Sequence, residues 1–230
     1  MSATLVQLRD EIKFKRKEIQ GDPDFPDAVL NRYVNESQRY VQTQLANLGI
    51  KQWESSDSLT LSSGSLADKT LQTADLSSDC PNRLFDDKNA IKFIICSNSG
   101  GSATDKGIAR YIDDDRFLEL VRNSYSAPTI TQPAFTRISN TLYISPSTVD
   151  TAVAHYYKVL ADLASDSTQT GIPLAYEEFI VKRALIGIDE QLNRINNKDE
   201  KIAQLTQDLK NTFMSLNAGV QSEKTNAVLQ

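Results

Sequence analysis

The sequence predicts an α+β fold: a helical bundle formed by the N- and C-terminal helices, an inserted β-rich lobe and an extended C-terminal tail. Three observations predict it. Apolar residues at helical spacing occupy both ends of the chain. The middle replaces them with short β-branched and aromatic runs broken by Ser, Asp, Gly and Pro. The last stretch, NAGVQSEKTNAVLQ, is too polar to bury itself. The expected boundaries are 1–52 for the N-terminal helices, 53–172 for the lobe, 173–217 for the C-terminal helices and 218–230 for the tail. With 230 residues, 40% of them hydrophobic, the chain is long enough to bury a core.

Thr4 and Gln7 have the spacing of a capping box, and Leu5, Leu8 and Ile12 follow as one helical stripe. The basic run Lys13 to Glu18 reads as a solvated helix end suited to the negative end of the helix dipole. Two prolines in Gly21 to Asp27 stop that helix. The second helix opens with Pro26 at its first position. It carries Leu30, Tyr33, Val34, Val41, Leu45 and Leu48 on one face, and Gly49 supplies a left-handed cap. Gln38, Arg39 and Gln42 to Gln44 lie off that stripe, and about 22 residues of helix are expected.

From Trp53 to Asn82 the composition turns to Ser, Asp, Thr and Leu, which implies short strands and loops. Asn89 to Ser97, NAIKFIICS, is the best strand signal in the chain. Ser97 to Gly107 reads as a hairpin tip. Asp113 to Asp115 precede FLELVRN, so a short helix with acidic residues at its positive end is expected. Ala134 to Ser139 and Leu142 to Ser145 are strands around an Asn140-Thr141 turn, and Pro146 ends the second. Thr148 to Leu160 favours extended structure, and Asp162 to Thr170 a polar loop.

Pro173 opens a third long helix whose buried face is Tyr176, Ile180, Ala184, Ile188, Leu192 and Ile195. Asn196-Asn197 allow a break, and Ile202, Leu205, Leu209, Phe213 and Leu216 define a fourth helix. The predicted bundle core is Leu30, Tyr33, Val34, Val41, Leu45, Tyr176, Ile180, Ala184, Ile188, Leu192, Leu205, Leu209 and Phe213.

The composition narrows function. A net charge of −5 and a pI of about 5.0 disfavour wholesale, sequence-independent gripping of nucleic acid. The first ten residues are charged and lack a signal-peptide core, and no window approaches a membrane span, so synthesis in the cytosol is expected. Cys80 and Cys96 form neither a zinc-ligand spacing nor a disulfide framework. His155, the sole histidine, has no Ser or Cys motif near it in sequence. Three consecutive aspartates, Asp113 to Asp115, cannot easily all face one ion, and Ser97 to Gly107 lacks the Gly-Lys-Ser/Thr ending of a phosphate loop. No catalytic, cofactor or metal site is assigned.

Several stretches in order resemble one family. They are the FPDAVLNRYVNESQRYVQTQL helix, Ala127-Pro128, the turn ISNTLYISP, the VAHYYK strand ending in Leu160 and Leu163, the loop DSTQT, and the helix from Pro173-Leu174-Ala175-Tyr176 with Ala184-Leu185 in its middle. Together the chain resembles the head-to-tail connector (adaptor or neck) proteins of tailed bacteriophages; the region Trp53 to Ser78 matches nothing in that pattern. The resemblance implies a non-enzymatic structural virion protein. It would form a homo-oligomeric ring, commonly of 12 copies, under the portal protein, extend the DNA channel and offer tail or neck proteins a platform. Double-stranded DNA would pass transiently, as an acidic subunit permits. It further implies assembly in the host bacterial cytoplasm, no membrane, no cofactor, and a C-terminal segment that reaches the portal, here with Val220, Val228 and Leu229 as anchors. Alternatives are a tail-side neck or tail-terminator component, a virion-associated hydrolase using His155, and a host-directed interaction protein.

Overall fold

A computed structural model of the chain describes residues 2–66, 68–86, 90–98, 106–123 and 125–228, and of 218–228 the backbone. The chain divides into two compact units, Met1–Ile50 with Leu160–Gln230, and Lys51–Val159. The division places Leu160–Ile172 with the helices, whereas the sequence pattern assigns that stretch to the lobe.

In the first unit, α1 (Leu5–Lys15) begins at the expected capping box. Gln7 N–H donates to the Thr4 hydroxyl, and Thr4 N–H donates to Gln7 Oε1 at 2.9 Å. Helix α2 (Asp27–Asn47) starts one residue later than expected, because Pro26 is extended and caps the helix from outside it. Gly49, at φ +91°, takes the left-handed position after the Leu48 cap. A 3-10 turn, Leu174–Tyr176, leads into α5 (Glu177–Gln191). The break after α5 comes at Leu192 and Asn193, the latter at φ +54°, ahead of the predicted Asn196-Asn197. Ile195 therefore lies outside the helix whose face it was expected to share.

The last helix corrects the expectation of an extended tail. It runs from Lys198 to Val228, 31 residues and about 46 Å. Val220 and Val228 lie on helical backbone, and Leu229 lies outside the described residues. Polarity argued against burial of this stretch, but it does not argue against helix. No proline occurs after Pro173, and Ala, Gln, Glu and Lys propagate a helix already nucleated by buried turns.

Helix α2 packs on α5, α1 packs on both, and the last helix packs on α5. Leu30, Val34, Val41, Leu45, Tyr176, Ile180, Ala184, Ile188, Leu205 and Leu209 are buried, while Tyr33, Leu192 and Phe213 are half-buried. The Tyr33 hydroxyl donates to Gln191 Oε1 at 2.5 Å, which explains its position at the edge of the apolar face.

The second unit is one curled sheet. Its strands are β1 (Glu54–Ser58), β2 (Ser62–Leu66), β3 (Lys69–Asp75), β4 (Phe93–Ser97), β5 (Lys106–Tyr111), β6 (Ala134–Ile138), β7 (Thr141–Ser145) and β8 (Thr151–Tyr157). Their order is β1-β8-β4-β5-β6-β7-β3-β2. Strand β5 holds the sheet together. Its first half pairs antiparallel with β4, from Lys106↔Ser97 to Ala109↔Ile94, and its last two residues pair parallel with Ala134 and Phe135 of β6. Inward residues from both halves then meet in one apolar core: Ile94, Ala109, Phe135, Leu142, Ile144, Ala154 and Tyr156. A one-turn helix, α3 (Leu76–Asp79), follows β3, and α4 (Asp114–Arg122) covers the outer face of β3, β6 and β7. It plugs fully buried Phe117 against Leu71 and Ala134. Lys198–Val228 is accordingly α6.

The stretch Trp53 to Asn82 thus supplies three strands and a helical turn, and the turn before β7 is Ser139-Asn140, with Ser139 at φ +57°. The expected tip of the β4–β5 hairpin, residues 99–105, lies outside the described residues.

Candidate assembly surfaces

On α2, the polar residues set aside as off-stripe turn out to be structural. Gln38 and Gln42 are fully buried. They and Asn35 hold the extended segment Leu160–Leu163, which has no neighbouring strand to satisfy its backbone. Leu160 N–H donates to Gln42 Oε1 at 3.1 Å, Gln38 Nε2 donates to the Ala161 carbonyl at 3.2 Å, and Leu163 N–H donates to Asn35 Oδ1 at 2.8 Å. Arg39 adds an ion pair to Asp162 at 2.7 Å. Residues three and four apart on a helix lie on one face, so this ladder reads an extended backbone one residue at a time. Further on, Leu5 N–H donates to the Thr168 carbonyl and Thr170 N–H to the Ala3 carbonyl.

Charged pins tie the two ends of the chain. Arg16 donates twice to Asp189, at 2.9 and 2.7 Å, and this pairing holds the Asp189 carboxyl below the usual carboxylate range despite its burial. Buried Arg9 pairs with Asp166 at 3.1 Å and Asp27 at 3.4 Å. Glu177, buried, accepts from Ala3 N–H at 2.8 Å, and burial raises its carboxyl. Beyond Leu209, α6 exposes Met214 and Leu216 beside half-buried Phe213, an apolar patch near its middle.

The reactive residue types of the second unit are engaged in structure. Burial pushes the Cys80 thiol to about 11 and the Cys96 thiol to about 12, values at which a thiolate nucleophile is not available near neutrality. His155, half-buried on β8, stacks on Phe93 of β4 with ring centroids 4.4 Å apart. The Tyr156 hydroxyl donates to Asp57, and burial with that contact raises its pKa to about 12. Arg83 and Arg137 converge on Asp86 and depress its carboxyl. Asp113 takes the N-cap position of α4 without a side-chain hydrogen bond, and Asp114 and Asp115 sit in its first turn, as expected. Among the described residues no group of His, Cys, Asp or Glu is arranged to hold a metal ion, and no helix is long and apolar enough to cross a membrane.

A recessed surface lies in this unit. Two adjoining clefts, of about 490 and 700 Å³, share Arg110, Ile112, Leu120 and Ser126. They run between β5, α4 and the 126–134 connection. Gly107 lies against that connection so closely that an added Cβ would fall 2.3 Å from the Ile130 carbonyl. No single sequence signal marks this cleft, because it forms only where β5 changes partners.

The SU10 adaptor protein family model matches residues 3–227, and the chain belongs to that family of phage head-to-tail adaptors. It is a phage structural adaptor protein, as the resemblance in its motifs implied. No curated protein matches the chain.

Proposed function

We propose that this adaptor forms a homo-oligomeric ring, of 12 copies by the family's habit, beneath the portal vertex, where it continues the DNA channel and presents a platform to the tail. Membership of the adaptor family across residues 3–227 is the observation that carries this reading. The molecule supports it physically. A ring subunit must meet its neighbours through different surfaces on its two sides, and it must keep its shape while DNA passes. Arg16–Asp189 ties the end of α1 to α5, and Arg9–Asp166 ties α1 to the turn that precedes α5. A net charge of −5 keeps phosphate contacts few on a duplex that must slide.

The proposed portal contact is the distal part of α6 and the residues after it, with Val220, Val228 and Leu229 as aliphatic anchors. The exposed Met214 and Leu216 give that contact an apolar beginning. On this reading the subunit resides in the virion neck after assembly in the host cytoplasm. Electron microscopy of the purified protein with portal should show a ring stacked on the portal, and virion reconstructions should place the chain on the neck axis. Density at the tail tube end instead would replace this assignment with the tail-side one. Deleting 220–230 should leave a folded subunit that no longer co-purifies with portal; undiminished co-purification would remove α6 from the contact.

A further inference from the structure

We infer that the cleft beside β5 is a docking groove for an extended acidic segment of another protein, read in the pattern acid-x-aliphatic-x-acid. This adds one partner's chemistry to the adaptor reading and rests on it only for where that partner would be met.

The outward face of β5 reads Lys106, Ile108, Arg110, with the intervening Gly107 and Ala109 buried. Ile108 is 61% exposed, and across the sheet it continues into Ile95 of β4 and Val153 of β8. Lys106 and Arg110 stand about 13 Å apart along the strand. That separation matches residues i and i+4 of an extended peptide, whose residue i+2 would then face Ile108. Arg116 of α4 adds a third cation where the two clefts join at Arg110. In the same unit Arg83, Lys92 and Arg137 are all in ion pairs. Among the described residues Lys106, Arg110 and Arg116 have none, so their charge is available to a partner. The floor is apolar, with Ile112 and Leu120 in both clefts and Pro128 and Pro133 on the far wall.

The competing occupants fit less well. A DNA duplex offers phosphates on a convex surface, and here it would meet an apolar floor; Asp113 and Glu119, which repel phosphate and peptide carboxylate alike, line only the cleft that Lys106 and Ile108 do not. A second copy of this chain offers two stretches with the required pattern, Asp115-Phe117-Glu119 and Asp162-Ala164-Asp166. The first lies on α4 with Phe117 buried. In the second, Asp162 is held by Arg39 and Asp166 by Arg9. The occupant is therefore a different polypeptide, bound by strand-like recognition in which charges set register and the aliphatic residue supplies burial.

The test uses the full-length protein and three probes: a fluorescent nonapeptide with an Asp-Thr-Val-Thr-Asp core, the same peptide with Lys for Asp, and a 20-base-pair duplex. The acidic peptide should bind, shift the amide resonances of Lys106–Ile112 and Leu120, and weaken as salt rises. Arg110→Glu should lower its affinity about tenfold, since one repulsive pair replaces an attractive one. Ile108→Ser should also weaken it while leaving the amide spectrum dispersed. Equal binding of the Lys peptide or the duplex, unchanged affinity in Arg110→Glu, or the same shifts on concentrating the protein alone would overturn the assignment. Ring formation with portal is scored on the same samples. Rings without peptide binding would sink the groove alone, and peptide binding without rings would sink the ring alone.

Discussion

Single residues decide how the ends of this chain are joined. Gln42 offers the clearest case, because its buried oxygen satisfies a backbone N–H that has no strand partner. Gln42→Leu should cost about 1–3 kcal/mol, the penalty for a buried donor left unpaired, measured by urea denaturation. A cost near zero would mean that Leu160 finds water instead. The Arg16–Asp189 pin carries a pH signature. Asp189 is depressed first by the hydrogen bonds from Arg16 and then by its charge. A carboxylate depressed in the folded state contributes stability above its unfolded value of about 3.9, and loses it as pH falls through the folded value. The stability difference between wild type and Asp189→Asn should therefore be full at pH 6 and shrink steadily below about pH 4. A difference independent of pH would show that the pair acts by packing rather than by charge. Glu177, raised by burial, works in the opposite sense: its ionised form is the costly one, so that cost is relieved as pH falls through its folded value.

At the scale of elements, structure follows sequence where a cap or a period is written into consecutive residues. The Thr4–Gln7 box, the Gly49 cap, the acidic start of α4 and the proline at the end of β7 all stand where the sequence puts them. The errors have a common origin. Gln38 and Gln42 lie off the apolar stripe, where polarity would be equated with exposure, yet both are buried; the end of the chain is helical where its polarity was equated with absence of structure. Both equations fail when the partner of a polar group is backbone, whether an extended segment or the helix's own. Helix α4 is small but strongly anchored, since Phe117 is its one fully buried side chain. Phe117→Ala should cost about 3–5 kcal/mol and release α4 from the sheet, with loss of amide-exchange protection over Asp114–Arg122 and little change in α2. Uniform loss of protection across both units would show that they unfold together.

For the whole molecule, the element order helix, helix, strands, helix, helix already placed the chain among proteins whose ends pack together around an insertion. The family match agrees with the class that order and motifs implied. The same scale holds the assembly prediction: rings that form with portal should persist in His155→Ala, because His155 packs on Phe93 within its own sheet. Loss of rings in a well-folded His155→Ala would place that strand face in an interface.

The sequence by itself determined the paired helices at the two ends, the strands β4, β6, β7 and β8, the starts of α1 and α4, and the family. These are properties of spacing over a few residues, and spacing is local. Only the tertiary structure decided that β5 leaves β4 for β6, that buried glutamines hold a strandless backbone, and that Lys106, Arg110 and Arg116, without ion pairs among the described residues, gather around one apolar groove. Each of these joins residues far apart in the chain. Their pairing depends on which surfaces meet when the core closes, and that information is carried by packing rather than by periodicity.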